Sequence, residues 1–153
     1  MKIGNGFTFI EMMVVISILS IVSLFALPAI HHSLRQAELD HAALNLQADL
    51  RWIQQMALDE PAISDNFQLI FDAAALNQYW VMKGTQVLKK VRFPEGVRLS
   101  YQPVPAAVYF QVSGAPGKGG QTLSLTNRRS ILYVIIEGAV GRVRISDTRP
   151  ERK

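Results

Sequence analysis

From Met12 to Leu34 the chain carries no Lys, Arg, Asp or Glu, and within that window Met12–Ile30 reads MMVVISILSIVSLFALPAI. No other feature restricts the fold as strongly. About 20 apolar residues in helical form span a hydrocarbon core of about 30 Å. The polar exceptions are Ser17, Ser20 and Ser23, whose hydroxyls can bond back to helix carbonyls. A chain of 153 residues cannot readily surround so long an apolar rod, which argues against a buried core helix. A cleaved secretory signal has an apolar region of about 7–15 residues, a basic region before it and a small-residue stop after it. Here only Lys2 precedes the run, and the run flows into a further helical pattern. The expectation is one membrane-embedded helix with its N-terminus cytoplasmic and the rest of the chain outside.

Glu11 breaks the apolar logic. An ionisable group at membrane depth is costly and marks function, and the candidate cation is Lys2 or a chain terminus. Around it residues 4–11 read GNGFTFIE. This resembles the cleavage and methylation motif of type IV prepilins and pseudopilins: a short polar leader ends in Gly6, and Phe7, Thr8, Phe9 and Ile10 follow. Glu11 then stands fifth after the scissile bond. Pro28 falls where many family members carry a helix-kinking proline. The resemblance implies a membrane-embedded prepilin peptidase cutting between Gly6 and Phe7, and N-methylation of the new amine at Phe7. It also implies that Glu11 pairs with such an amine on a neighbouring subunit. Glycine suits the scissile position because it lets backbone pass close to catalytic groups. A charge pair in low dielectric offsets much of a desolvation cost that an isolated carboxylate bears alone. Without that partner, Glu11 is an interfacial residue that snorkels or protonates.

Beyond Pro28, Leu39, Ala43, Leu46, Leu50, Ile53 and Ala57 recur at spacings of four and three, one apolar face of a helix. Glu38, Asn45 and Asp49 lie on other faces. The face is expected to pack on the protein's own sheet, and the helix to end near Asp59–Glu60, ahead of Pro61. Helix over residues 7–58 would be about 75–80 Å long. The rest reads as short strands punctuated by Gly and Pro: 67–72, 78–83, 87–92, 97–101, 107–112, 121–125, 130–136 and 142–145. Antiparallel hairpins should join most of them. The expected fold is α+β, a long N-terminal helix packed on a C-terminal antiparallel head, pilin-like. The expected division is a leader over 1–6, a transmembrane and filament-core helix over 7–30, an amphipathic helix over 31–58 and a head over 59–153.

Gly114–Gly120 reads GAPGKGG, but it does not fit G-x-x-x-x-G-K-[ST] and no helix pattern follows, so it reads as a flexible turn rather than a phosphate loop. The stretches from Phe110 to Gly114 and Gly119 to Leu125, with Gly141-Arg-Val-Arg144, look like the head of GspH/FimT-like minor pseudopilins, a group serving type II secretion, type IV pili and competence filaments. The chain has no cysteine, whereas many pilins staple a C-terminal loop with a disulfide. That departure fits a minor subunit, including the cysteine-poor, ComGD-like competence type.

Nothing in the sequence assembles an active site. His31 and His32 are adjacent and His41 lies beyond an i, i+4 spacing from either, so no metal pair forms. There is no G-x-S-x-G element, and the acidic residues of the head are scattered. No enzyme, cofactor or metal is expected. The charge distribution is more telling. Residues 1–65 hold three basic and seven acidic residues, and residues 66–153 hold thirteen and five. Arg128, Arg129, Arg142, Arg144, Arg149, Arg152 and Lys153 fall in the last 26 residues. Strand alternation puts Arg142 and Arg144 on one face, and with a basic tail they could neutralise several phosphates. Some FimT-like minor pilins bind DNA through a similar G-R-x-R element and tail. A solvated face with ion pairs, or a contact to an acidic partner subunit, is the competing explanation. The expected partners are the peptidase, other pilins, the membrane and DNA. The alternative is a GspH-like subunit of a type II secretion system that binds no DNA.

Overall fold

The computed structural model describes residues 8–59, 67–72, 74–100 and 107–150, and over 24–32 it describes the backbone alone. The chain divides into two units, Met1–Arg35 and Gln36–Lys153. One helix, α1 (Phe9–Asp59), enters both.

In the first unit α1 leaves its apolar side chains uncovered: Phe9 is 81% exposed, and the large apolar residues from Ile10 to Val22 lie between 44% and 69%. The three serines bond back as expected. Ser17, Ser20 and Ser23 donate to the carbonyls of Met13, Ile16 and Leu19 at 2.7–2.8 Å. Each hydroxyl is thereby satisfied without water. The helical backbone runs through Pro28 without interruption. Among the described residues no helix is long and apolar enough to cross a membrane. The apolar run of the sequence continues past Ser23 into residues whose side chains lie outside that description.

In the second unit the helix face with the four-and-three spacing is the core. Leu39, Ala43, Leu46, Leu50, Ile53 and Ala57 are all fully buried. Eight strands follow: β1 (Phe67–Phe71), β2 (Gln78–Lys83), β3 (Gln86–Arg92), β4 (Arg98–Leu99), β5 (Ala107–Tyr109), β6 (Gln121–Thr126), β7 (Ile131–Ile136) and β8 (Val143–Ser146). All eight lie at the positions the β-branched and aromatic runs predict, and every pairing is antiparallel. They form two four-stranded sheets rather than one. The first has the order β3-β2-β1-β5 and the second β4-β6-β7-β8. The chain changes sheet through a Pro94–Gly96 turn, and Leu99 N–H donates to the Leu76 carbonyl at 2.8 Å, tying β4 back to the first sheet.

Alternation decides what each face does. Leu69, Val81, Val108, Leu99, Leu123, Leu125, Val134, Ile136 and Val143 join the helix residues in one apolar cluster. Phe71, Tyr79 and Phe93 stack in tilted pairs with ring centroids 5.5–6.0 Å apart. Two strands are shorter than expected. β4 has two residues, and β5 stops at Tyr109 because Phe110 bridges Pro116 across a turn. That Gly-rich turn is pinned: Gly117 N–H donates to the Tyr109 carbonyl and Gln111 N–H to the Ala115 carbonyl. β8 begins at Val143, one residue after Arg142.

Candidate functional site

Two regions carry the residues singled out above. The first is the start of α1. Gly6 and Phe7 lie outside the described residues. Thr8 sits just ahead of the helix, and its hydroxyl accepts from the Glu11 N–H at 3.3 Å. The Glu11 carboxylate accepts in return from the Thr8 N–H, a longer contact of 3.5 Å. This is a reciprocal capping box, T-x-x-E, which satisfies two backbone donors that a helix start otherwise leaves open. The carboxylate also sits at the positive end of the helix dipole. Glu11 therefore has a bonding role within one chain, which the apolar pattern around it had hidden.

The second region is the β7–β8 corner, built around Gly141-Arg-Val-Arg144. Gly141 has φ +67°, a left-handed backbone. A Cβ placed on it would come 2.0 Å from the Gly114 carbonyl oxygen. Only glycine lets these two segments meet. A polar seam on α1 then holds the corner. The Gln54 amide donates to the carbonyls of Gly114 (2.7 Å) and Gly141 (3.2 Å). Gln47 and Arg51 both donate to the Val143 carbonyl, at 2.9 and 3.2 Å. Residues 47, 51 and 54 follow the helical spacing of four and three, a second face beside the apolar one. It grips the unpaired edge of β8.

Held this way, Arg142 and Arg144 both point away from the core, while Gly141 and Val143, on either side of Arg142, are buried. The expected alternation stands, although Arg142 precedes the strand. The two arginines differ in their surroundings. Arg144 Nε lies 3.3 Å from Glu137 Oε1, an exposed ion pair. Such a pair contributes little to stability. Arg142 lines an open groove of about 500 Å³ with Arg51, Gln55, Leu58 and Val140.

The strand register separates the remaining basic residues from this corner. Arg128 and Arg129 sit in the β6–β7 turn, at the other end of β7 from residues 137–142. Arg149 follows β8 as it runs back from Val143 opposite Ile136 to Ser146 opposite Tyr133. Arg152 and Lys153 lie outside the described residues. The cluster read along the sequence is thus two groups in space. Arg128 lines a groove of about 560 Å³ with Arg92 and Arg98, two residues that no sequence motif singles out. Their contiguity depends on which sheet edges meet, and no local spacing encodes that. Among the described residues no three His, Asp or Glu side chains come together as a metal site.

One polar cluster anchors helix to sheet. Asp49, expected on a face away from the core, is 6% exposed. It accepts from the buried Tyr79 hydroxyl at 2.8 Å and from Lys89 Nζ at 2.7 and 2.9 Å. Lys89 stands opposite Val81 on the core-facing side of β3, so its stem leads the ammonium inward. Burial, then the hydrogen bond to Asp49, pushes the Tyr79 phenol far above its ordinary value. At the β1–β2 turn, hydrogen bonds from the Gln78 amide and the N–H groups of Ala75 and Ala74 hold the Asp72 carboxyl below the usual range.

An apolar α1 headed by a capping Thr and Glu, joined to an antiparallel head, is an α+β architecture of the pilin kind. Residues 1–27 match the family described as the prokaryotic N-terminal methylation motif. The fold is similar to the crystal structure of the type IV minor pilin FimU of Pseudomonas aeruginosa (strain PAO1). The TM-score is 0.57 at 14% identity, over 71% of this chain and 92% of that one. No curated protein matches the chain in sequence.

Proposed function

We propose that this chain is a minor pilin or pseudopilin, a structural subunit of a type IV pilus-like filament. Prepilin peptidase cuts between Gly6 and Phe7, and the Phe7 amine is methylated. The helix over 7–30 anchors the chain in the inner membrane with its head outside, and later joins the filament core, with Glu11 and Pro28 as assembly residues. The observation that carries this reading is the uncovered apolar surface of α1 from Phe9 to Val22, headed by Glu11. Such a surface in water is unfavourable by about 25 cal/mol per Å² and calls for lipid or other helices. Co-expression with a prepilin peptidase tests the first step. The chain should shorten by the six leader residues, and the N-terminal residue should be methylated Phe7. An uncleaved wild-type chain in that membrane would overturn it.

The finer reading is a subunit supporting DNA uptake, with phosphate contacts from Arg142, Arg144 and the tail through Arg149, Arg152 and Lys153. The exposure of Arg142 beside Arg51 supports it. Arg142→Ala with Arg144→Ala should then weaken duplex DNA binding, and a wild-type chain with no salt-sensitive gel shift at low ionic strength would sink the idea. One observation favours the alternative, a GspH-like subunit of a type II secretion system without DNA contact: Arg144 already has Glu137 as its partner.

A further inference from the structure

The groove between the β3–β4 turn and the β6–β7 turn holds three guanidiniums that the corner does not use. Arg92 closes β3, Arg98 opens β4 and Arg128 tips the β6–β7 turn, and all three are exposed. They line one groove of about 560 Å³ with a single carboxylate, Glu95. Among the described residues none of the three has an ion pair or hydrogen bond through its side chain. Arg128 is also held in a left-handed backbone, φ +74°, which costs a non-glycine residue free energy. The turn fixes it there. The Thr126 hydroxyl accepts from the Arg128 N–H, and Asn127 Oδ1 from the N–H groups of Arg129 and Ser130.

The register relates this groove to the corner. Arg98 stands opposite Thr126, which stands opposite Ile131; Arg144 stands opposite Ile135. Residues 131 and 135 share a face of β7, so Arg98 and Arg144 lie on the same face of the second sheet. Leu99, Leu125, Leu132 and Val134 occupy the other, core-side face; on the arginine face Arg98, Ile131 and Arg144 are exposed, while Ser124 and Ile135 between them are buried. The two arginines sit on the outermost strands, three strand spacings apart and four residues apart along the strands. At about 4.8 Å and 3.4 Å for each step, the diagonal is about 20 Å. A duplex rises about 3.4 Å per base pair, so about six base pairs cover that span.

We propose that the Arg92–Arg98–Arg128 groove is a second phosphodiester-binding site, and that it and the Gly141–Arg144 corner take one nucleic acid laid diagonally across the arginine face of the second sheet. The span, not the groove itself, rests on DNA contact at the corner. Three guanidiniums against one carboxylate leave a positive excess, and their planar forks suit the oxygens of a phosphate.

The test uses the full chain in a neutral detergent and a fluorescein-labelled 30-base-pair duplex, followed by anisotropy across a salt series. Arg92→Ala with Arg98→Ala should weaken binding by tenfold or more at low salt. It should also reduce the slope of log K against log salt by about two, near 0.9 for each phosphate no longer neutralised. Arg92→Lys with Arg98→Lys should keep most of that slope, and the circular dichroism of both variants should match wild type. An unchanged affinity in the alanine variant overturns the groove, whatever Arg142→Ala with Arg144→Ala does. Weaker binding by the groove variant with wild-type binding by the corner variant keeps the groove and removes the corner reading together with the span. A wild-type chain that binds no duplex at low salt overturns both. Displacement of the labelled duplex by polyglutamate as readily as by unlabelled duplex would assign the groove to an acidic protein partner, and the phosphodiester assignment fails.

Discussion

At the scale of single residues, two positions show how far a side chain's role depends on remote partners. Gly141 is the first. Its left-handed backbone and the 2.0 Å approach to the Gly114 carbonyl mean that Gly141→Ala strains the corner twice, through φ and through contact. The expected cost is roughly 2 kcal/mol or more. Urea unfolding should read it, while Arg142→Ala, one residue away and exposed, should leave stability within about 0.5 kcal/mol. Tyr79 is the second. Its folded pKa lies far above the unfolded value near 10, because burial and the Asp49 hydrogen bond oppose ionisation. The stability this shift contributes is fully present below about pH 10. It is lost as pH rises beyond that, because the unfolded phenol releases its proton while the folded one keeps it. Stability should therefore fall with pH above about 10, and the fall should flatten in Tyr79→Phe. Asp49→Ala should cost more than Tyr79→Phe at neutral pH, since it strands the buried Tyr79 hydroxyl without an acceptor, worth about 1–3 kcal/mol. Equal losses in the two variants would contradict that account.

Elements follow periodicity, and periodicity is what a sequence carries most openly. Each helix position in the four-and-three series is fully buried, so Leu50→Ala should remove roughly 3 kcal/mol and lower the thermal midpoint by several degrees. Leu44→Ala, half exposed on the same helix, should do little; calorimetry on the two variants checks the contrast. The strands were legible for the same reason, since Phe67–Phe71 and Gln78–Lys83 alternate buried and less buried residues with the period of two. What stayed hidden joins residues far apart in the chain. Gln47, Arg51 and Gln54 look like an ordinary polar face until β8 arrives some ninety residues later with its unpaired carbonyl. Asp49 reads as solvated until Lys89 turns inward from β3. The division into two sheets also escaped the sequence, because β4 pairs with β6 instead of its neighbours in the chain. The basic residues at the end of the chain were visible as charge, yet their partition into a corner and a groove follows from that same pairing. Arg92 and Arg98 look ordinary along the sequence and become neighbours of Arg128 only in space.

For the whole molecule, the proposed assembly turns on what Glu11 does when chains meet. The capping box gives it one role, the helix start of a single chain. Family resemblance gives it another, a charge partner for an amine on a neighbouring subunit. Two substitutions separate these roles. Glu11→Gln keeps the cap, because Gln serves in the same T-x-x-E/Q arrangement, but it removes the charge. Glu11→Ala removes both. The cap affects only the first turn and is worth about 0.5–2 kcal/mol, too little to keep the apolar helix out of a membrane. Both variants should therefore reach the membrane fraction at wild-type levels and be cleaved by the peptidase. Both should then be depleted from sheared filaments and from complexes with other pilins, because a buried amine left without its carboxylate is strongly unfavourable, by about 3–5 kcal/mol. Recovery of the Gln variant in filaments at the wild-type level, with depletion confined to Ala, would make the cap the important role and remove the charge pair. Wild-type incorporation of both would remove Glu11 from assembly altogether, and the carboxylate would then serve the helix start alone.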